Sequence, residues 1–301
     1  MTAVRQRRRD LTEPVTVIGV AVAALVAVVV VLQSVGAAGV ATAQRPVTTT
    51  AVPPPPPTTT VVAPPTSTKA TVPADIQLAT AVYDLRENAF VSRSDEDQPF
   101  AAESLTKLLI ATDLAAAGKL TGDNLPRVQR MLSTSDDTAA NQLWTADGGP
   151  QIVSRAVRSM GLKRTIPPRD PGRWGDTSTT AADVVRIYQH IVTTMPAAQR
   201  DVLLADLATT ARAADGTNQD FGITAALPDG EWWAKQAWAC CRPAWDVHTT
   251  GLVGADRRYV VVALSQQPVA GGFGGATRVM TTVAKNLVAG LQIQHQVVGG
   301  A

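Results

Sequence analysis

Phe100-Ala101-Ala102-Glu103-Ser104-Leu105-Thr106-Lys107-Leu108-Leu109-Ile110 is the stretch on which the reading of this chain turns. From Ser104 to Ala117 the pattern is helical, with Leu105, Leu108, Leu109 and Ala115-Ala116 giving a largely apolar face interrupted only by Thr112. Ser104 therefore stands in a first turn, with Lys107 on the same face and within reach of its hydroxyl. A serine is a weak nucleophile until a neighbour removes its proton, and a desolvated lysine near another cation can do so. Backbone N–H groups of the first turn can also face a developing oxyanion. The same residues equally fit an ordinary helix start, Ser104 capping and Lys107 in solvent, so the decision passes to the rest of the chain.

Upstream, Ile76 to Asp84 reads as a strand, Leu85 to Asn88 as a turn and Ala89 to Arg93 as a returning strand. Downstream come amphipathic helices near 124–132, 137–146, 150–160, 179–194 and 197–213, punctuated by Gly, Pro and Asp. Beyond Gly230 the residues turn aromatic and β-branched, giving strands at 231–239, 245–253 and 257–265, and a closing helix fits 275–290. The expected fold class is α/β of the α+β kind. An antiparallel sheet, built from both ends of the domain, carries helices on its faces and a helical subdomain. Gly161 to Asp176, rich in Pro, Arg and Gly, is expected to be an ordered surface loop.

Three further segments carry chemistry. Ser135-Asp136-Asp137-Thr138-Ala139-Ala140-Asn141 places a second serine before a helix, where a plain N-cap is the simpler reading. Lys235-Gln236-Ala237-Trp238 and His248-Thr249-Thr250-Gly251 each set a basic residue on a late strand. Lys235 alone also fits a strand-edge lysine that discourages aggregation. Asp176-Thr177-Ser178-Thr179-Thr180 opens a helix.

Taken in order, these segments resemble the β-lactamase and penicillin-binding-protein serine hydrolase superfamily, in particular its class A branch, over most of residues 76–292. The likeness implies a role for each residue. Ser104 is the nucleophile, Lys107 its base, Ser135 a proton relay, and Asp137 a residue that positions the network. Lys235 is the preferred strand lysine because two strand-like segments come after it; it holds an anionic substrate group and lowers the Lys107 pKa by repulsion. The backbone N–H groups of Ser104 and Trp238 form the oxyanion hole, and Gln236 and Ala237 lie at substrate-binding positions.

This chain departs from the family pattern at several of these places. Asp137 replaces an Asn that donates to substrate, and a carboxylate cannot donate unless protonated; beside Lys107 it also favours the charged ammonium. Gln236 replaces a hydroxyl residue and Ala237 a glycine. No Glu occurs between Gly161 and Thr180 to activate a hydrolytic water, Asp170 being the nearest substitute, so weak β-lactamase activity is expected.

Residues 14 to 44 carry no charge, and Val15 to Leu32 is almost wholly Val, Ala, Leu and Ile, long enough to cross a bilayer. Arg5, Arg7, Arg8 and Arg9 before it orient the N-terminus inward. The expected organisation is a cytoplasmic segment (1–13), a transmembrane anchor (14–36), a Pro/Thr-rich extracytoplasmic linker (37–73), the hydrolase-like domain (74–296) and a tail (297–301). A cleaved signal peptide is the other reading, with Ala41-Thr42-Ala43 as a small-x-small site near Ala43 and secretion as the result. The five prolines from Pro53 to Pro57 favour extended polyproline II and a spacer. Lipidation of an N-terminal thiol is ruled out for this sequence, because its two cysteines are Cys240 and Cys241.

A net charge of +2 and arginines concentrated at the N-terminus argue against a nucleic-acid partner. His190, His248 and His295 lack ligand spacing, so neither metal nor cofactor is expected. Asp246 and His248 are expected to share one strand face without relation to Ser104. Cys240 and Cys241 are either buried thiols, a vicinal disulfide or a partner-linked thiol. Trp232, Trp233, Trp238 and Trp245 either wall the groove or pack on the sheet. Two functions are compatible with these residues: acyl transfer on D-Ala-D-Ala-like cell-wall peptides or β-lactams, and a degenerate relative that binds peptidoglycan or protein without reaction.

Overall fold

A computed structural model describes residues 72–209 and 212–293. The expectations for the N-terminal segment, the anchor, the linker up to residue 71 and the tail lie outside the described residues. Among the described residues no helix is long and apolar enough to cross a membrane.

The opening hairpin forms as expected, from β1 (Gln77–Asp84) and β2 (Ala89–Ser94). Its turn is fixed by side chains: Tyr83 Oη donates to Asn88 Oδ1 at 2.7 Å, and Asp84 takes the Arg258 guanidinium in a two-pronged pair. Burial works to raise the Asp84 carboxyl, but Arg258 and the N–H groups of Glu87 and Arg86 outweigh it and hold it low. The late strands β5 (Trp232–Ala239), β6 (Trp245–Val253) and β7 (Tyr259–Gln267) complete one antiparallel sheet in the order β2-β1-β7-β6-β5. The first strand of the domain thus pairs with the last, and β5 is an edge. Strand β7 begins later than the sequence pattern suggests because Arg257, at φ 56°, belongs to the preceding turn.

One face of the sheet, through Ala237, Leu252, Val260, Val262 and Leu264, packs on the helical subdomain. The other, through Val247, Val253, Val261 and Ala263, packs on α8 (Gly272–Val288). Helix α1 (Thr106–Ala116) runs through the middle and is buried from Thr106 to Ala115. A helix buried on every side shows little amphipathic contrast, and Lys107 is carried into the interior with it. Around it stand α2 (Asn124–Ser133), α3 (Asp137–Ala146), α4 (Pro150–Met160), α5 (Ala181–Thr193) and α6 (Ala197–Leu207). Helix α6 stops short of the expected residue 213: its buried stripe of Leu203, Leu204 and Leu207 ends there, and Ala208 leaves the helix.

Three short elements have no clear periodic signal: β3 (Phe100–Ala101), β4 (Ser178–Thr179) and α7 (Ile223–Ala226). Strands β3 and β4 pair with each other and so join the segment before Ser104 to the end of the Gly161–Asp176 loop. That loop is closed at its neck by the Ile166–Ser178 bridge and by Asp183, which accepts from the N–H groups of Lys163 and Arg164 and from Thr165 Oγ1. Burial alone would raise the Asp183 carboxyl, yet these donors keep it below the usual range.

Candidate active site

Ser104 sits in a 3-10 turn, Glu103–Leu105, that leads directly into α1. Its Oγ lies 2.9 Å from Lys107 Nζ, one turn along. Lys107 Nζ also reaches the Ser135 carbonyl at 2.7 Å, Ser135 Oγ at 2.9 Å and Asp137 Oδ1 at 2.5 Å. Ser135 Oγ is 3.0 Å from Ser104 Oγ, and Lys235 Nζ donates to Ser135 Oγ at 3.0 Å and to the Gln236 carbonyl at 3.0 Å. Residues distant in the chain, on α1, before α3 and on β5, thus meet around two hydroxyls.

Local backbone makes this possible. Ser135 adopts φ 52°, a left-handed conformation that costs a non-glycine residue about 1–3 kcal/mol and needs its surroundings to hold it. In that conformation both its carbonyl and its hydroxyl face Lys107. Ser135 is not the helix cap: Asp136 takes that role by accepting from the Ala139 N–H at 3.0 Å, which frees the serine hydroxyl. Glu103, at φ 47°, is the corresponding left-handed residue before Ser104.

Both amines are buried, Lys107 at 0% and Lys235 at 1% exposure, so neither is a surface lysine. Burial lowers the Lys107 pKa, with Asp137 opposing through charge and hydrogen bond; the net direction is down, towards a usable base. Lys235 lies well below the ordinary lysine range, from burial first and repulsion by Lys107 second. The expectation that Asp137 would favour the ammonium is met by its contact, but desolvation outweighs it.

Ser104, Ser135, Asp137, Thr138, Asp215 and Trp238 all line one cavity of about 260 Å³. Its far wall is tied on by the Ala214 N–H, which donates to the Thr134 carbonyl at 2.7 Å. Trp238 faces this cavity from the edge strand, while its ring packs against Phe221 and Phe273. Gln236 departs from the expected arrangement: by strand alternation its side chain leaves the sheet on the α8 side, where Nε2 donates to the Phe221 carbonyl. Ala237 is fully buried in the main core. The side chains of neither Gln236 nor Ala237 adjoin the Ser104 hydroxyl.

Asp170 is exposed and accepts from the Gly172 N–H, so it does not serve as a loop carboxylate over Ser104. His248 lies on inner strand β6, donates to the Ala101 carbonyl and accepts from the Ser265 N–H; burial depresses it to about 4. Asp246 bonds Gln266 instead of His248. Cys240 and Cys241 are joined in a disulfide at the end of β5. Of the four clustered tryptophans only Trp238 lines the cavity; Trp232 is core, and Trp245 packs on Phe273. Among the described residues no His, Cys, Asp and Glu grouping could hold a metal.

Sequence reasoning misses three residues here. Trp174, in the Gly161–Asp176 loop, lays its ring 4.9 Å from Lys107 Nζ and donates from Nε1 to Asn141 Oδ1 at 2.7 Å. Glu103 is buried against Gly175, where any Cβ would come within 2.8 Å of Glu103 Oε2. Arg242, next after the disulfide, pairs with both Glu103 and Asp176. The loop itself is visible as a Pro/Arg/Gly-rich insertion, but nothing in its sequence tells which side chain turns inward.

Residues 125–291 match the model of the beta-lactamase enzyme family. Among curated proteins, "Putative lipoprotein LppW" of Mycobacterium tuberculosis (strain H37Rv) is 38% identical over 201 residues, 64% of this chain. The match spans 63% of that protein's length. Among solved structures, PBP-A superposes with a TM-score of 0.57 at 18% identity, covering 72% of this chain and 92% of that one. A beta-lactamase from Xanthomonas campestris pv. campestris gives 0.57 at 17% identity, covering 70% and 90%. At such identities the structural likeness speaks to the fold.

Proposed function

This chain belongs to the beta-lactamase enzyme family, and from that premise we propose that it is an extracytoplasmic acyl-transfer enzyme acting through Ser104. The observation that carries the reading is the convergence of Ser104 Oγ, Lys107 Nζ, Ser135 Oγ and Lys235 Nζ, each within 3.0 Å of the next. Lys107, held low by burial, takes the Ser104 proton as Oγ attacks a carbonyl carbon. Ser135 passes a proton to the leaving nitrogen, and Lys235 keeps the Ser135 hydroxyl oriented. The backbone N–H groups of Ser104 and Trp238 receive the oxyanion. Asp137 positions Lys107 through its carboxylate.

The proposed substrates are D-Ala-D-Ala-like cell-wall peptides, with β-lactams as acylating analogues. Hydrolysis of the resulting ester is slow, since neither loop carboxylate is available: Asp170 is exposed and Asp176 is held by Arg173 and Arg242. We place the domain outside the cell membrane, tethered through residues 14–36. The lipoprotein description of the mycobacterial relative supports membrane association, and the uncharged apolar run is the tether we assign.

A binding module without reaction is favoured by one feature, the withdrawal of Gln236 to the Phe221 carbonyl, which leaves the carboxylate-binding position of the groove without a hydroxyl. Labelling of the full chain with a fluorescent penicillin separates the two. The enzyme reading predicts a covalent band that Ser104→Ala abolishes. No band after prolonged incubation would favour the binding module, and labelling that persists in Ser104→Ala would remove Ser104 from the reaction.

A further inference from the structure

We propose that Trp174 is a positioning residue that seals Lys107 from water and so keeps the acyl group on Ser104 long-lived. This inference rests on the acyl-transfer reading and adds to it the residue that suppresses hydrolysis.

Lys107 Nζ has four oxygens within 2.9 Å, those of Ser104 Oγ, the Ser135 carbonyl and hydroxyl, and Asp137 Oδ1. The ring of Trp174 lies over the same nitrogen at 4.9 Å. Lys107 is consequently 0% exposed although its partner Ser104 opens onto a cavity. The ring is not free to swing. Its Nε1 donates to Asn141 Oδ1 on α3, and the Trp174 carbonyl accepts from Thr106 Oγ1, Thr177 Oγ1 and the Thr177 N–H. These bonds fasten the indole to both the nucleophile helix and the loop end. Beside it, Gly175 lets the buried Glu103 carboxylate approach closely, so that a Cβ at 175 would require Glu103 to shift.

Hydrolysis would require a water oxygen to bond the acyl carbon as the ester bond to Ser104 Oγ breaks. One water proton would return to Oγ through a base, and the other would stay with the released acid. The base available near Ser104 is Lys107, and an indole occupies the side from which the loop could have supplied water or a carboxylate. Acylation does not suffer, because Ser104 and Ser135 reach Lys107 from the cavity side.

Two readouts on the full chain test this. Acetic anhydride footprinting under native conditions, read by peptide mass spectrometry, is expected to leave Lys107 unmodified in the wild type and in Trp174→Phe, and to modify it in Trp174→Ala. Adduct lifetime with a fluorescent penicillin is expected to fall at least about tenfold in Trp174→Ala, with Trp174→Phe restoring the lifetime. Equal modification of Lys107 in wild type and Trp174→Ala, or unchanged lifetime with matched folding, overturns the proposal. Protection of Lys107 in a wild type that forms no adduct would sink the acyl-transfer reading while leaving the seal standing.

Discussion

The two sides of Lys107 differ in kind. On the cavity side stand Ser104, Ser135 and Asp137, delivered by the start of α1 and the approach to α3, with Lys235 behind Ser135 from β5. On the other side stands an irregular loop that contributes an indole, a glycine and a clamp of charges. On the first side one helical turn sets Lys107 against Ser104 and a strand carries Lys235, with Ser135 held by its own left-handed turn; the second depends on turns whose side chains obey no period. In the proposed mechanism acylation belongs to the first side, and control of the acyl group's lifetime to the second.

The largest effects should come from the regular side. Lys107→Met, which keeps the buried volume and removes the amine, is expected to slow acylation by about 10²–10⁴, measured by rapid labelling with a fluorescent penicillin. Lys235→Met is expected to cost about 10² through a misoriented Ser135 hydroxyl. Near-normal rates in either variant, with native circular dichroism, would remove that amine from the mechanism.

Asp137 stands on the exposed rim of the cavity side, where its carboxylate holds Lys107. Acylation needs the neutral amine, so its rate should rise with pH through a Lys107 pKa that lies below the ordinary lysine value and fall away in acid. Asp137 raises that pKa, so Asp137→Asn should move the profile to lower pH and speed acylation several-fold near neutrality. A profile unchanged by this substitution would show that Asp137 does not act on the base.

The smallest effect belongs to the irregular side and concerns stability. Glu103 is pushed from 4.5 up to about 8, by burial first and then by Asp246 and Asp176. A carboxyl raised in the fold keeps a proton that the unfolded chain loses. Stability is therefore undiminished below about pH 4.5 and declines as pH rises towards 8. Glu103→Gln should match the wild type near pH 4 and melt roughly 3–6 °C higher at pH 8, in thermal scans monitored by circular dichroism. Parallel melting curves for the two proteins at every pH would assign the slope to another group.

Legibility in the sequence respects the same division. The hairpin, the late strands and Ser104-Lys107 are readable because periods of two and near four place residues on faces. The choice of Lys235 over the His248 segment comes from counting strands, and β6 is indeed an inner strand with His248 spent on backbone bonds. Gln236 escapes because a motif match follows order along the chain, whereas strand alternation, with Lys235 turned to the site, sends Gln236 to the α8 side. Trp174, Glu103 and Arg242 escape because they meet only after the chain has closed the β3–β4 pair and the disulfide-bearing turn.

Peptide mapping of the protein after incubation with benzylpenicillin identifies the nucleophile itself. Acyl transfer through Ser104 gives a single penicilloyl adduct on the peptide containing Ser104, with fragmentation placing it on that residue. A chain that stays unmodified at saturating penicillin, or that carries the adduct on Ser135, would contradict it.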